Sequence, residues 1–235
     1  MVEHEPPAQR PTPVLFAHRG GRAHAPQNTL KAFALALQMG ATGLETDVWL
    51  SADGRPMLDH DGVVWKRARR RAYASVSRDR IGPAVPTLAD LYRECGTDFE
   101  LSVDVKDAAA AEPVVEEARR VGAEHRLWLC HPDWNVLASL RERTTARLVD
   151  STRIRRIKEG PERRAAALAA AGVDGVNLPQ KEWTGGLAAL FHRFERLCVA
   201  WDVQYERIAA ALTRMGIDAM HGDHVERLIA GTAAA

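Results

Sequence analysis

Along this chain, short runs of apolar and β-branched residues alternate with longer segments whose apolar positions recur every three or four residues. The short runs predict strands near Val14–Ala17, Gly43–Val48, Phe99–Val105, Arg126–Cys130, Ala146–Val149, Gly172–Asn177, Leu197–Trp201 and Ile217–Met220. The helical spacing predicts helices near Leu30–Met39, Leu88–Cys95, Pro113–Val121, Val136–Arg143, Glu162–Ala171, Leu187–Arg193, Glu206–Met215 and Val225–Ala230. Gly40, Gly172 and Gly216 fall where helices should stop, since glycine enters the left-handed conformation that ends a helix without steric penalty.

Strands that alternate with helices pair in parallel through helical crossovers. Eight such units, each of about thirty residues, fit an α/β fold of the (β/α)8 TIM-barrel type, with a doubly wound open sheet as the competitor. No composition break divides residues 14–235, which read as a single domain, while residues 1–13 are polar, proline-rich and expected to be flexible. Residues 61–86 show neither period and read as a small insertion after the second strand. Their basic cluster of Lys66, Arg67, Arg69, Arg70 and Arg71 is a solvated loop or a rim that steers phosphate.

The 235 residues are 46% hydrophobic and 27% charged, which suits a packed core and excludes a disordered or collagen-like chain. A formal net charge of +1 provides no global field toward nucleic acid or an anionic membrane, so the expected partner is a small molecule. Cys95, Cys130 and Cys198 are too dispersed for a metal-type pair and read as reduced, mostly buried thiols of a cytoplasmic protein. With no apolar stretch before Val14 and no run of membrane-spanning length, neither a secretory leader nor a transmembrane segment is expected. The sequence does not reveal the oligomeric state.

The predicted strand ends carry unusual polar residues: His18-Arg19, Glu45, Asp47, Asp104, Lys106, His131, Asn177, Trp201 and Asp223. In a barrel, functional side chains gather where strands end. Residues two apart on a strand share a face, so Glu45 and Asp47 point together and Asp104 joins them from the next strand. Three converging carboxylates need a cation between them, either a hard divalent ion such as Mg²⁺ or Ca²⁺ or the side chains of Arg19 and Lys106. A hairpin turning at Asp53-Gly54 would set His60 opposite Asp47 and return it to the same mouth as His18. Two imidazoles beside a cation suit phosphodiester cleavage, one accepting the proton of the attacking oxygen and one protonating the leaving alkoxide.

These residues also carry a resemblance. Ala17-His18-Arg19-Gly20 followed by Pro26-Gln27-Asn28-Thr29-Leu30 resembles the AHRG…PENTL signature of the glycerophosphodiester phosphodiesterases. Glu45-Thr46-Asp47-Val48, Asp53-Gly54-Arg55-Pro56, His60-Asp61, Pro86-Thr87-Leu88 and Asp104-Val105-Lys106 follow in the family's order over about the first 106 residues. The resemblance implies metal-dependent hydrolysis of glycerophosphodiesters to glycerol 3-phosphate and an alcohol. It further implies His18 and His60 as the acid–base pair, Glu45, Asp47 and Asp104 as ligands of Mg²⁺ or Ca²⁺, and Arg19 and Lys106 on the phosphate.

Departures from the family pattern fall mostly on substrate identity. Gln27 replaces a glutamate, and Asp104 is one methylene shorter than the usual third ligand, as in the related sphingomyelinase D group. Trp201-Asp202-Val203-Gln204 stands for W-T-V-N, and His221-Gly222-Asp223-His224 replaces a T-D-x-P turn. These changes leave two alternatives: a lysophospholipase D or sphingomyelinase D-like enzyme, and a catalytically silent phosphoester-binding barrel. Trp201 either lines the alcohol pocket or simply packs. His131, His221 and His224 read as loop and turn residues, and Arg153–Lys158 as a solvated segment or a site for a substrate anion.

Overall fold

The computed structural model describes residues 12–66 and 69–235. Residues 1–11 of the expected flexible segment, and Arg67 of the basic cluster, lie outside the described residues. In chain order the strands are β1 (Val14–Ala17), β2 (Gly43–Leu50), β3 (Pro56–Leu58), β4 (Val63–Lys66), β5 (Arg69–Ala72), β6 (Glu100–Val105), β7 (Leu127–His131), β8 (Arg147–Ser151), β9 (Gly175–Pro179), β10 (Leu197–Trp201) and β11 (Ala219–Gly222). The helices are α1 (Leu30–Gln38), α2 (Arg78–Ile81), α3 (Leu88–Cys95), α4 (Ala111–Arg120), α5 (Trp134–Ala138), α6 (Pro161–Ala170), α7 (Gly185–Arg193), α8 (Glu206–Met215) and α9 (Val225–Ala233).

β1, β2, β6, β7, β8, β9, β10 and β11 pair in parallel in that order, and β11 returns to β1. The result is a closed eight-stranded (β/α)8 barrel. Side-chain alternation divides its core in two. Leu44 and Val48 of β2, Leu101 and Val103 of β6, and Val176 and Leu178 of β9 pack outward against the helices. Phe16, Trp128, Cys130, Val149 and Val199 pack together in a separate cluster. The Phe16 ring meets Trp128 edge-on at 5.4 Å and lies over Gly43, where any β-carbon would come within 2.5 Å of it. That close approach requires glycine at 43.

Three glycine-led corners share one device. Gly40, Gly172 and Gly216 have φ of 94°, 69° and 83°, and the residue after each, Ala41, Val173 or Ile217, is buried. The next residue is polar and accepts a hydrogen bond from the backbone of the preceding barrel strand: Thr42 Oγ1 from Leu15 at 2.8 Å, Asp174 from Leu148 at 2.7 Å, Asp218 from Cys198 at 2.7 Å. These corners correct two expected boundaries. β9 starts at Gly175 and β11 at Ala219, because the residues after Gly172 and Gly216 build the corner rather than the ladder. His221 therefore belongs to a strand and not to a turn.

Residues 61–86 are also more ordered than their pattern predicts. β4 and β5 form an antiparallel ribbon, α2 follows, and Tyr73, Val76 and Ile81 pack on Met57 as a small core. Arg69, Arg70 and Arg71 are exposed on β5. The expected helix over Val136–Arg143 is instead α5, ending at Ala138, followed by a 3-10 turn at Arg141–Arg143. Among the described residues, no helix is long and apolar enough to cross a membrane.

Candidate active site

The open end of the barrel holds a cavity of about 590 Å³. His18, Arg19, Glu45, Asp47, Asp104 and Lys106 line one wall of it. β2 and β6 bring the carboxylates together because Asp47 pairs directly with Asp104 and Glu45 with Ser102. His18 and Arg19 follow β1 in a single 3-10 turn, with Arg19 held at a φ of 51°. That turn aims the Arg19 backbone N–H at Glu45, to which it donates at 2.8 Å.

His18 is fixed from both sides. Its Nδ1 meets Asp223 Oδ1 at 2.6 Å, and its Nε2 lies 3.8 Å from Glu45 Oε2. Burial opposes charge on the imidazole, but Glu45 and the hydrogen bond to Asp223 outweigh it, so the His18 pKa sits above its ordinary value. Glu45 is pushed up to about 7, first by burial and then by repulsion from Asp47 and Asp104, against the attraction of His18. Burial also raises Asp223, but its bonds to His18 and Arg22 prevail and hold it below the usual carboxylate range. Arg22 Nε and Gln204 Nε2 donate to the other oxygen of Asp223, at 3.0 and 3.2 Å.

Asp47 is the hub of the cationic side. Lys106 Nζ reaches its Oδ1 at 3.1 Å and also donates to Asp104. Arg19 Nε lies 3.0 Å from Asp47 Oδ2 without hydrogen-bond alignment, and Asn28 Nδ2 donates to that oxygen at 3.3 Å. Asn28 joins the site from a left-handed position, φ 54°, with its own oxygen accepting from Thr46 at 2.9 Å. Its only sequence signal was its place in the Pro26–Leu30 block. Gln27 holds Arg19 Nη1 at 2.9 Å.

The structure does not bring His60 into this group. The hairpin expected at Asp53-Gly54 has five loop residues, because the Ser51 hydroxyl accepts from Arg55 N–H and donates to Asp53. The hairpin is thus centred on Asp53, pairing Val48 with Leu58, and Asp59 N–H rather than His60 bonds the Asp47 carbonyl. The His60 ring turns to Asp61 at 2.8 Å and does not line the cavity.

The opposite wall carries Arg153, Arg156, Asn177 and Trp201, whereas His221 stands on β11 beside β1, in register with Phe16. The Arg153 guanidinium stacks on the Trp201 ring at 4.6 Å. Among the described residues, Asn177 Oδ1 and His221 Nε2 are buried without a hydrogen-bond partner, and burial, then the charge of His18, pushes the His221 pKa down to about 3. His131, expected in a loop, is the last residue of β7, and its ring bonds the Asp133 backbone. His224 and His24 flank Glu226 at the start of α9.

The donor chemistry of Glu45, Asp47 and Asp104, all oxygen and all on two adjacent strands, suits a hard divalent ion. Burial first, and then the neighbouring carboxylates Asp47 and Asp104, hold Glu45 up at about 7, and a cation bound among the three would favour its charged form.

The chain is similar in sequence to a glycerophosphodiester phosphodiesterase of Caldanaerobacter subterraneus, 28% identical over 120 residues. That match takes in 44% of this chain and 49% of the relative, so the chain spans about half of that relative's length. In fold it is similar to a glycerophosphodiester phosphodiesterase from Thermotoga maritima, with a TM-score of 0.78 and 21% identity over 94% of this chain and 99% of the other. It is also similar to an Oleispira antarctica phosphodiesterase solved with the product sn-glycerol-3-phosphate, with a TM-score of 0.79 and 18% identity over 94% and 97% of the two chains. The model of the glycerophosphoryl diester phosphodiesterase family matches residues 18–227, from His18 to α9, and the chain belongs to that family.

Proposed function

We propose that this chain hydrolyses glycerophosphodiesters, with water, to glycerol 3-phosphate and an alcohol. The observation that carries this reading is the fixed imidazole of His18, set beside a carboxylate trio and two cationic side chains in one open cavity. Asp223 accepts the Nδ1 hydrogen and so leaves Nε2 to face the reacting phosphate. There His18 moves the proton that accompanies cleavage of the bond between phosphorus and the leaving oxygen. Arg19 and Lys106 hold the phosphate oxygens as negative charge builds on them. Glu45, Asp47 and Asp104 would hold Mg²⁺ or Ca²⁺, which supplies further charge stabilisation at the phosphate when bound.

His60 is proposed as the second proton-transfer group on the strength of the motif resemblance. Its backbone is held close to Asp47 through the Asp59 N–H and through Trp49 Nε1, which donates to the His60 carbonyl at 3.2 Å. Polar side chains dominate the cavity, which favours a water-soluble diester over a lipid with an acyl chain. The test is release of glycerol 3-phosphate by purified protein from a panel of glycerophosphodiesters, with Mg²⁺ or Ca²⁺ and then with EDTA. Release that EDTA abolishes supports the reading; no release from any diester with either ion sinks it.

A further inference from the structure

The two cations on the wall opposite His18 are not used by the chemistry above. β8 lies four strands from β1 in either direction around the barrel, and Arg153 and Arg156 follow its end. Both line the cavity, and among the described residues neither guanidinium has a carboxylate or carbonyl partner. Every other arginine and lysine of the cavity is engaged, Arg19 and Lys106 by Asp47 and Arg22 by Asp223.

Trp201 determines what this wall accepts. A bare tryptophan face attracts a quaternary ammonium group, but the Arg153 guanidinium already covers this one at 4.6 Å. Stacking occupies the face of the guanidinium and leaves its N–H edge free, the edge that pairs with phosphate in a two-pronged fashion. The carboxylates near this wall are turned elsewhere: Asp202 accepts from Gln204 at 3.3 Å and Glu182 from Ile154 N–H at 2.7 Å, so among the described residues neither pairs with Arg153 or Arg156.

We propose that Arg153 and Arg156 form a subsite for an anionic group on the leaving alcohol, best matched by a phosphomonoester, so that the preferred diesters carry a second negative charge beyond the scissile phosphate. The assignment of this subsite to the leaving alcohol rests on the hydrolase reading, which puts the scissile phosphate on the His18 wall.

The test has two arms. Calorimetry with myo-inositol 1-phosphate and with myo-inositol measures the subsite without turnover. The wild type is expected to bind the phosphate ester, and the Arg153→Gln/Arg156→Gln double variant to bind it roughly tenfold more weakly or worse. Affinities within twofold of each other, or no binding to the wild type, overturn the subsite. The second arm compares kcat/KM for glycerophosphodiesters of inositol and of inositol phosphate. The wild type is expected to favour the charged substrate by roughly tenfold, and the ratio to fall toward one in the double variant. A wild-type preference for the choline diester also overturns the proposal. Arginine-dependent binding without turnover of any diester leaves the subsite standing while the hydrolase reading falls, and turnover with no charge preference does the reverse.

Discussion

The two walls of the cavity are built on different principles. On the β1–β2–β6 side the charged groups are paired: His18 with Asp223, Arg22 with Asp223, and Lys106 with Asp47 and Asp104. On the β8–β10 side, among the described residues, Asn177 Oδ1 is buried and unpartnered, and Arg153 meets the face of Trp201 without a carboxylate or carbonyl partner. Buried polar groups normally find partners, and an unpartnered oxygen such as Asn177 Oδ1, in a residue that lines the cavity, is open to a ligand. On the proposed reading, the paired wall carries the step common to all the diesters, and the open wall meets the part in which they differ.

The largest effect that sharpens this contrast lies on the outer face of β8. Asp150 is fully buried there, and its Oδ2 bonds Arg164 of α6 at 2.6 Å, while Arg164 also bonds Glu159. Arg164→Leu strands the carboxylate, and urea unfolding should show a loss of about 3–5 kcal/mol. A loss under about 1 kcal/mol would mean that the pair is not buried as described. Next comes the anchor of the paired wall. Asp223→Asn should lower kcat by about 10²-fold, because His18 loses the acceptor that fixes its tautomer. An unchanged kcat would remove His18 orientation from the account.

His221, on β11 beside β1, offers a pH test of burial at the site. Its folded-state pKa lies near 3 and that of the unfolded chain near the ordinary 6.5, so the unfolded state takes up a proton that the folded state refuses. Stability from this group is complete above the unfolded value and is lost as pH falls below it. Between pH 7 and pH 5 that loss is about 2 kcal/mol. His221→Leu should flatten the urea-midpoint profile by about that much over the interval. A parallel profile would show that His221 finds a proton acceptor in the folded state. The smallest effect belongs outside both walls. Trp65 is 70% exposed on the β4–β5 ribbon, and Trp65→Ser should change stability by less than about 0.5 kcal/mol. A marked change in turnover would make the ribbon a third wall of the site.

Much of this was legible in the sequence, for identifiable reasons. Glu45, Asp47 and Asp104 are polar intrusions in otherwise apolar strands, and period-two alternation alone sets them on one face. The same reasoning misplaced His221. A helix-ending glycine before Ile217 looked like the threshold of a strand, whereas Ile217 and Asp218 form a corner held by a side-chain bond to Cys198, and the ladder starts two residues later. His60 was displaced by a single residue of hairpin register, set by the Ser51 hydroxyl, and such a slip turns a side chain to the other face. Long-range partners such as Asp223 for His18, 205 positions apart, leave no local pattern at all.

The most direct measurement is glycerol 3-phosphate release by the wild type and by His18→Ala, side by side, with saturating Mg²⁺ or Ca²⁺ and one readily cleaved glycerophosphodiester. The paired-wall account predicts turnover in the wild type and a loss of about 10²–10⁴-fold in the variant, with its unfolding midpoint retained. Undiminished release from the folded His18→Ala protein would contradict it, and the chemistry would then have to be sought away from the β1–β2–β6 wall.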